Sequence, residues 1–185
     1  MDWITNADFK ILYFIHDSLS CGFMDFLMPK ITYLTEMGAV WILAALLFLV
    51  FRKYRASIAI AGGMAAGLLV GNLLLKHLVA RSRPCWLDTA FPMLVDVPKD
   101  FSFPSAHAMI SFAAAVAIFH YNRKAGIAAL VVAALIAFSR LYLFVHFPSD
   151  VLVGTLVGIG LGIAAFIVTD RVADKIRKNK SGAKA

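Results

Sequence analysis

Three short stretches hold residues whose types and spacing could do chemistry. The first is Lys76-His77-Leu78-Val79-Ala80-Arg81-Ser82-Arg83-Pro84 and the second is Pro104-Ser105-Ala106-His107. The third runs from Ser139-Arg140 to His146-Phe147-Pro148-Ser149-Asp150. Lys76 and Arg83 are seven residues apart, two helical turns, so they share a face if the helix persists and could grip one anion from two directions. Taken alone, Lys76, Arg81 and Arg83 also read as cations that snorkel to a headgroup layer.

Proline suits the first turn of a helix, so Ser105, Ala106 and His107 are expected where backbone N–H groups lack helical partners, a natural anion site. Ser105 adds a hydroxyl, and His107 adds a group that exchanges a proton near neutral pH. Arg140 contributes a planar fork suited to phosphate. His146 has Asp150 four residues on. A carboxylate beside an imidazole fixes its tautomer and supports its protonated form. Asp150 also opens the next helix as a cap, and the two roles are compatible. The joint inventory describes phosphoryl chemistry without a metal. Cations and N–H groups hold the equatorial oxygens, one histidine attacks phosphorus, and the other protonates the leaving oxygen. None of the stretches carries the acidic ligands that magnesium or a two-metal site would want.

These residues must be positioned by a chain that is 61% hydrophobic and only 16% charged, too apolar for an ordinary soluble domain. The 185 residues suit one unit, 1–185. The pattern predicts an all-α membrane bundle of about five transmembrane helices: near Ile31 to Phe51, Ala56–Leu75 continuing toward Arg81, Pro104–Tyr121, Ala125 to about Val145, and Asp150–Val168. Residues 1–29, with an apolar patch too short to span, are expected as one or two interfacial helices, or as a lid over the site. Residues 170–185 form a basic tail. Gly63, Gly67 and Gly71, and again Gly154, Gly158 and Gly162, recur at four-residue spacing and predict close helix packing. Cys21 and Cys85 fit neither a disulfide framework nor a zinc site.

With five spans, the 52–55 turn, the 122–124 turn and the tail share one face. That face holds eleven of the Lys and Arg residues against Asp170 and Asp174 alone. Positively charged loops stay in the cytoplasm, so the C-terminus is expected there and all three stretches on the extracytoplasmic face. No basic stripe with interleaved aromatics stands outside the apolar runs, which argues against a nucleic-acid partner.

Lys76-x6-Arg83-Pro84, Pro104-Ser105-Ala106-His107 and Ser139-Arg140-x5-His146-x3-Asp150 resemble the three-part signature of the type 2 phosphatidic acid phosphatase superfamily, in the family's order. The resemblance implies a helical bundle shared with the vanadium-dependent haloperoxidases. It also implies metal-independent, cofactor-free dephosphorylation through a phosphohistidine. By position, His146 is the nucleophile, Asp150 orients it and His107 is the general acid. Lys76, Arg83, Ser105, Ala106 and Arg140 bind the phosphoryl group. Ala106 stands where the family most often has glycine. Short bacterial members with an outward-facing site resemble undecaprenyl-diphosphate phosphatases, and others act on phosphatidylglycerophosphate, phosphatidic acid or lipid A. The linker from Cys85 to Phe103 is too short for a separate substrate domain, so the implied partner is a lipid phosphate entering from the bilayer. A transporter, a vanadium-dependent oxidase and an inactive relative are the rival readings. The ionisable residues gather at one helix end and no inverted repeat is apparent, against the first. A soluble scaffold would suit the second, and the complete set His107, His146 and Asp150 argues against the third.

Overall fold

The computed structural model describes residues 3–182, and every regular element among them is helical. In chain order these are α1 (Trp3–Leu19), α2 (Gly22–Tyr33), α3 (Ala39–Val50), α4 (Tyr54–Leu68), α5 (Lys76–Val79), α6 (Pro84–Leu87), α7 (Ala106–Tyr121), α8 (Arg123–Tyr142) and α9 (Pro148–Gly182). A 3-10 turn, Glu36–Gly38, precedes α3, and a π-helical stretch, Leu69–Leu75, joins α4 to α5.

Helix α7 is the axis of the bundle, packed by α4, α8 and α9. It owes that place to small side chains: Ala108, Ala113, Ala114, Ala115 and Ala117 are fully buried. Both glycine rows face it. A methyl on Gly63, Gly67 or Gly71 would meet Ala113, Ile110 or Met109, and one on Gly154, Gly158 or Gly162 would meet the backbone of Ser105, Met109 or Ala113. Packing takes the place of the hydrophobic effect as the attraction between helices in lipid, and backbones this close make full use of it. Trp41 on α3 adds a polar tie, donating to Ser111 Oγ at 3.0 Å.

Among the described residues, three segments are long and apolar enough to cross a membrane: Tyr54–Leu87, Arg123–Tyr142 and Pro148–Lys180. Helices α3 and α7 are apolar but shorter. The first expected span does not run unbroken from Ile31, because Gly38 adopts a left-handed φ of 75° and separates α2 from α3. At 12 residues α3 reaches only about 18 Å, less than the ~30 Å hydrocarbon core. The basic tail, by contrast, continues α9 as helix through Gly182, and residues 183–185 lie outside the described part.

Residues 3–29 form α1 and most of α2. Helix α1 lies against α8 and α9, burying Asp8, Phe9, Leu12 and Ile15. Its Phe9 covers the turn after α8, meeting Phe144 and Phe147 at ring-centroid distances of 6.1 and 5.2 Å, and Phe91 of the linker stacks on Phe144 at 3.8 Å. At the opposite end, Arg55 pairs with Asp174 at 2.9 Å and His120 with Asp170 at 2.9 Å. The 52–55 turn, the end of α7 and the second half of α9 therefore meet there. Cys21 is exposed and Cys85 buried, both unbridged.

Candidate active site

A cavity of about 610 Å³ opens at the other end of the bundle. Its walls include Lys76, Arg83, Ala106, His107, Arg140 and His146, so residues from all three sequence stretches meet in one place. Trp41, Met64, Leu68, Ile110, Val95 and Val97 supply an apolar wall.

The first stretch reaches the cavity by a different route from helical periodicity. Helix α5 stops at Val79 because Ala80 takes a left-handed φ of 47°, and the chain runs extended into Arg83 before α6. Lys76 and Arg83 thus do not share a helix face. They converge on Asp100, whose carboxylate pairs with the Lys76 ammonium and accepts from Arg83 Nη2 at 2.7 Å. Burial alone would raise the Asp100 carboxyl, but Lys76 and Arg83 outweigh it and hold its pKa well below the usual carboxylate range. Arg83 is 2% exposed and fully engaged. It donates to the carbonyls of Asp100 (2.7 Å), Val145 (2.6 Å) and Phe101 (3.3 Å), and its Nη1 lies 3.2 Å from His146 Nε2.

In the second stretch α7 begins at Ala106 and Ser105 is its N-cap, so Pro104 stands just outside the helix, after a cis peptide. The Ser105 N–H donates to the Asp150 carbonyl at 3.1 Å, which docks the start of α7 on the start of α9. The Ser105 hydroxyl itself is buried with no hydrogen-bond partner, and so is Arg140 Nε. A buried polar atom without a partner is costly, and unpaired ones in native structures call for an explanation. Here a hydroxyl and a guanidinium N–H near one cavity both have unused hydrogen-bonding capacity of the kind an anion accepts. Arg140 Nη1 donates to Thr32 Oγ1 of α2, a residue outside the three stretches.

The third stretch turns sharply after α8, with Phe144 at a left-handed φ of 58°. The N–H groups of Val145 and His146 both reach the Arg140 carbonyl at 3.3 Å. His146 is 1% exposed. Burial, with Arg83, Arg140 and Lys76 nearby, pushes its pKa well below the ordinary histidine value, so the imidazole is neutral at neutral pH. Asp150 Oδ2 stands 3.7 Å from His146 Nδ1, an ionic approach longer than a hydrogen bond, and Ser102 Oγ stands 3.4 Å from the same nitrogen. Asp150 also caps: its Oδ2 accepts from the Phe147 N–H at 3.0 Å, the reach-back of a capping box. Ser102 donates to that oxygen, while Arg81 Nη1 takes Oδ1 at 2.6 Å. His107, on the cavity wall, has no hydrogen-bond partner among the described residues.

Sequence reasoning passed over Asp8, Arg81, Asp100 and Ser102. Arg81 stood in the first stretch but read as a headgroup cation. Asp100 and Ser102 lie in the linker, whose polar residues carry no periodic signal. Among the described residues no group of three His, Cys, Asp or Glu side chains is placed to hold a metal ion.

A family model described as the PAP2 superfamily matches residues 56–174. The chain belongs to this superfamily. An undecaprenyl-diphosphatase from Sulfolobus acidocaldarius is 32% identical over 130 residues, 68% of this chain and 63% of that protein. A decaprenylphosphoryl-5-phosphoribose phosphatase from Mycobacterium tuberculosis is 37% identical over 126 residues, 66% of this chain and 67% of that one. About a third of each relative's own length thus lies outside the match. Among solved structures, Aquifex aeolicus LpxE superposes with a TM-score of 0.75 at 25% identity, covering 85% of this chain and 93% of that one. A bacterial vanadium-dependent iodoperoxidase shares the fold, with a TM-score of 0.70 at 16% identity, covering 89% of this chain and 49% of that one. The bundle expected from the haloperoxidase resemblance is therefore observed.

Proposed function

We propose that this protein is a membrane lipid phosphatase that removes a phosphoryl group through a phosphohistidine at His146, with undecaprenyl diphosphate as its substrate and undecaprenyl phosphate as its product. The observation that carries the reading is the cavity where Lys76, Arg83 and Arg140 meet both histidines, beside the unsatisfied Ser105 hydroxyl and Arg140 Nε. Its apolar wall suits the first part of a lipid tail and its cations suit the head. The likeness to the Sulfolobus undecaprenyl-diphosphatase supports a polyprenyl diphosphate.

Lys76, Arg83, Arg140, Ser105 and the first N–H groups of α7 hold the phosphoryl oxygens. His146 Nε2 attacks, and the N–P bond forms as the P–O bond to the lipid breaks. His107 gives its proton to the departing oxygen. Water then attacks the phosphohistidine, His107 takes one of its protons, and orthophosphate leaves as the N–P bond breaks. Asp150 supports the positive imidazole ring while phosphorus is attached. The eleven-to-two charge asymmetry supports an extracytoplasmic site and a cytoplasmic C-terminus.

The test is phosphate release by the purified protein in detergent, from undecaprenyl diphosphate, phosphatidylglycerophosphate, phosphatidic acid and lipid A, with acid-quench trapping of a phosphoenzyme. Preference for the polyprenyl diphosphate is expected. Preference for another lipid would replace the substrate, and no release from any of them would refute the reading. Decaprenylphosphoryl-5-phosphoribose belongs in the panel, because the mycobacterial relative at 37% identity is a phosphatase of that compound.

A further inference from the structure

Helix α1 lies outside the matched family region, which begins at residue 56, yet it sends one carboxylate into the catalytic end of the bundle. Asp8 is 4% exposed. Its Oδ2 accepts from Arg81 Nη2 at 2.8 Å and from the Ser149 hydroxyl, and its Oδ1 accepts from the Ser149 N–H at 3.0 Å. Arg81 faces the other way with Nη1, which meets Asp150 Oδ1 at 2.6 Å and Ser149 Oγ at 2.7 Å. The guanidinium lies over the Phe147 ring, 4.1 Å from its centroid, and Phe9 closes the far edge of that ring. One planar cation is therefore clamped between a carboxylate of α1 and a carboxylate of α9.

The consequence lies in the second oxygen of Asp150. With Oδ1 held by Arg81, Oδ2 is left to Ser102, the Phe147 N–H and the side of the ring bearing His146 Nδ1. A carboxylate freed at Oδ1 could rotate and bring a different oxygen, or none, toward the imidazole. Asp8 fixes Arg81 from behind and also ties down the Ser149 N–H in the first turn of α9.

We propose that Asp8 is a positioning residue for the reaction: through Arg81 it sets the orientation of Asp150 and hence of His146, so that α1 is part of the catalytic unit. Neither Asp8 nor Arg81 lines the cavity. The proposal rests on the lipid phosphatase reading above.

Asp8→Asn keeps the shape and removes the charge that holds Arg81. It should lower kcat about tenfold while changing KM less than twofold, because orientation of the nucleophile is lost and binding cations are untouched. Formation of the trapped phosphoenzyme should slow in parallel. The decisive measurement is coupling. In an Asp150→Asn background Asp8→Asn should cost less than twofold more, since the proposed route to His146 through Arg81 is already cut. A merely structural role predicts losses that multiply. Multiplied losses overturn the proposal, as does unchanged kcat in the folded single variant. If Asp8→Asn does not accumulate as folded protein, Asp8→Glu asks the same question with the charge kept but displaced by one methylene. A kcat loss that disappears in the Asp150→Asn background is again expected, and multiplied losses or unchanged kcat again overturn it. Failure of the wild-type protein to release phosphate from any lipid would sink the underlying reading. An active wild type with a kinetically silent Asp8→Asn would sink this inference alone.

Discussion

Asp100 pairs with Lys76 and Arg83, two of the cations proposed to hold the phosphoryl group, and so competes with that group for them; removing its charge should tighten anion binding. The perturbation is Asp100→Asn, which keeps the backbone carbonyl bond to Arg83 Nε and removes only the carboxylate charge. Lys76 and Arg83 are almost wholly buried, with side chains 9% and 2% exposed, so both are poorly hydrated when Asp100 leaves. Asp100 is 54% exposed and can rehydrate. Two charge-assisted bonds would be worth about 1.5–3 kcal/mol each if buried. The exposure of Asp100 screens them, and a combined cost of about 1–2 kcal/mol for displacing it is the reasonable figure. Orthophosphate and vanadate should then bind about 5–30-fold more tightly to Asp100→Asn than to the wild-type protein. The assay is competitive inhibition of phosphate release by each anion, in detergent and at fixed ionic strength. Weaker inhibition in the variant would refute the reasoning, since it would mean that Asp100 stays in place and supports the cations when an anion binds.

Other outcomes follow from the same geometry. His146→Ala should abolish both turnover and the trapped phosphoenzyme, whereas His107→Ala should lower turnover of lipid monoesters by roughly 10²–10⁴-fold and that of p-nitrophenyl phosphate much less, because nitrophenolate leaves without a proton. Because the pKa of His146 is pushed down, protonation should inactivate the nucleophile only below the ordinary histidine range, and a pH–kcat/KM profile whose acid limb lies above that range would contradict it. The unfolded chain takes up this proton more readily than the folded one, so thermal stability should also fall as the pH drops through the range. Activity should survive excess EDTA, and loss restored by magnesium would show the site misread. A cysteine placed after Ser181 should be protected from an impermeant thiol reagent in intact cells and one near Asp96 labelled; the reverse pattern would invert the proposed topology.

That the three stretches would meet was legible in the sequence because ionisable side chains are costly in a hydrocarbon-soluble chain, and Lys76, Arg83, His107, Arg140, His146 and Asp150 stood out against their neighbours. The glycine rows were legible for a related reason: spacing alone told which face would be approached. What stayed hidden depended on distant partners. Nothing local to Ala80 announces a left-handed helix stop, which the backbone pairing of Ser102 with Arg81 accompanies. Between Ile31 and the apolar run that starts at Gly38, Glu36 and the glycine itself marked a weak point, but a single span was still expected across it. Asp8 gave no local signal of a role, because the groups it binds, Arg81 and Ser149, are 73 and 141 residues away.

The packing that holds this bundle together and the geometry of the site are the same contacts read at different heights along α9. A methyl at Gly162 would stand 2.6 Å from the Ala113 carbonyl and one at Gly158 2.3 Å from that of Met109, both in the body of the bundle. A methyl at Gly154 would stand 2.6 Å from the Ser105 carbonyl, at the N-cap of α7, one helical turn past Asp150. None of these oxygens can yield, because each is backbone. Overpacking of this kind costs about 1–3 kcal/mol, so Gly158→Ala and Gly162→Ala should lower the Tm of the detergent-solubilised protein, while Gly63→Ala, at an ordinary 3.5 Å contact, should change it little. Gly154→Ala differs in kind. Displacing Ser105 moves the unsatisfied hydroxyl, the first N–H groups of α7 and His107 away from His146 together. Its turnover should therefore fall further than its Tm predicts, and a turnover loss no greater than that of Gly162→Ala would show that the two ends of this helix pair are not so divided.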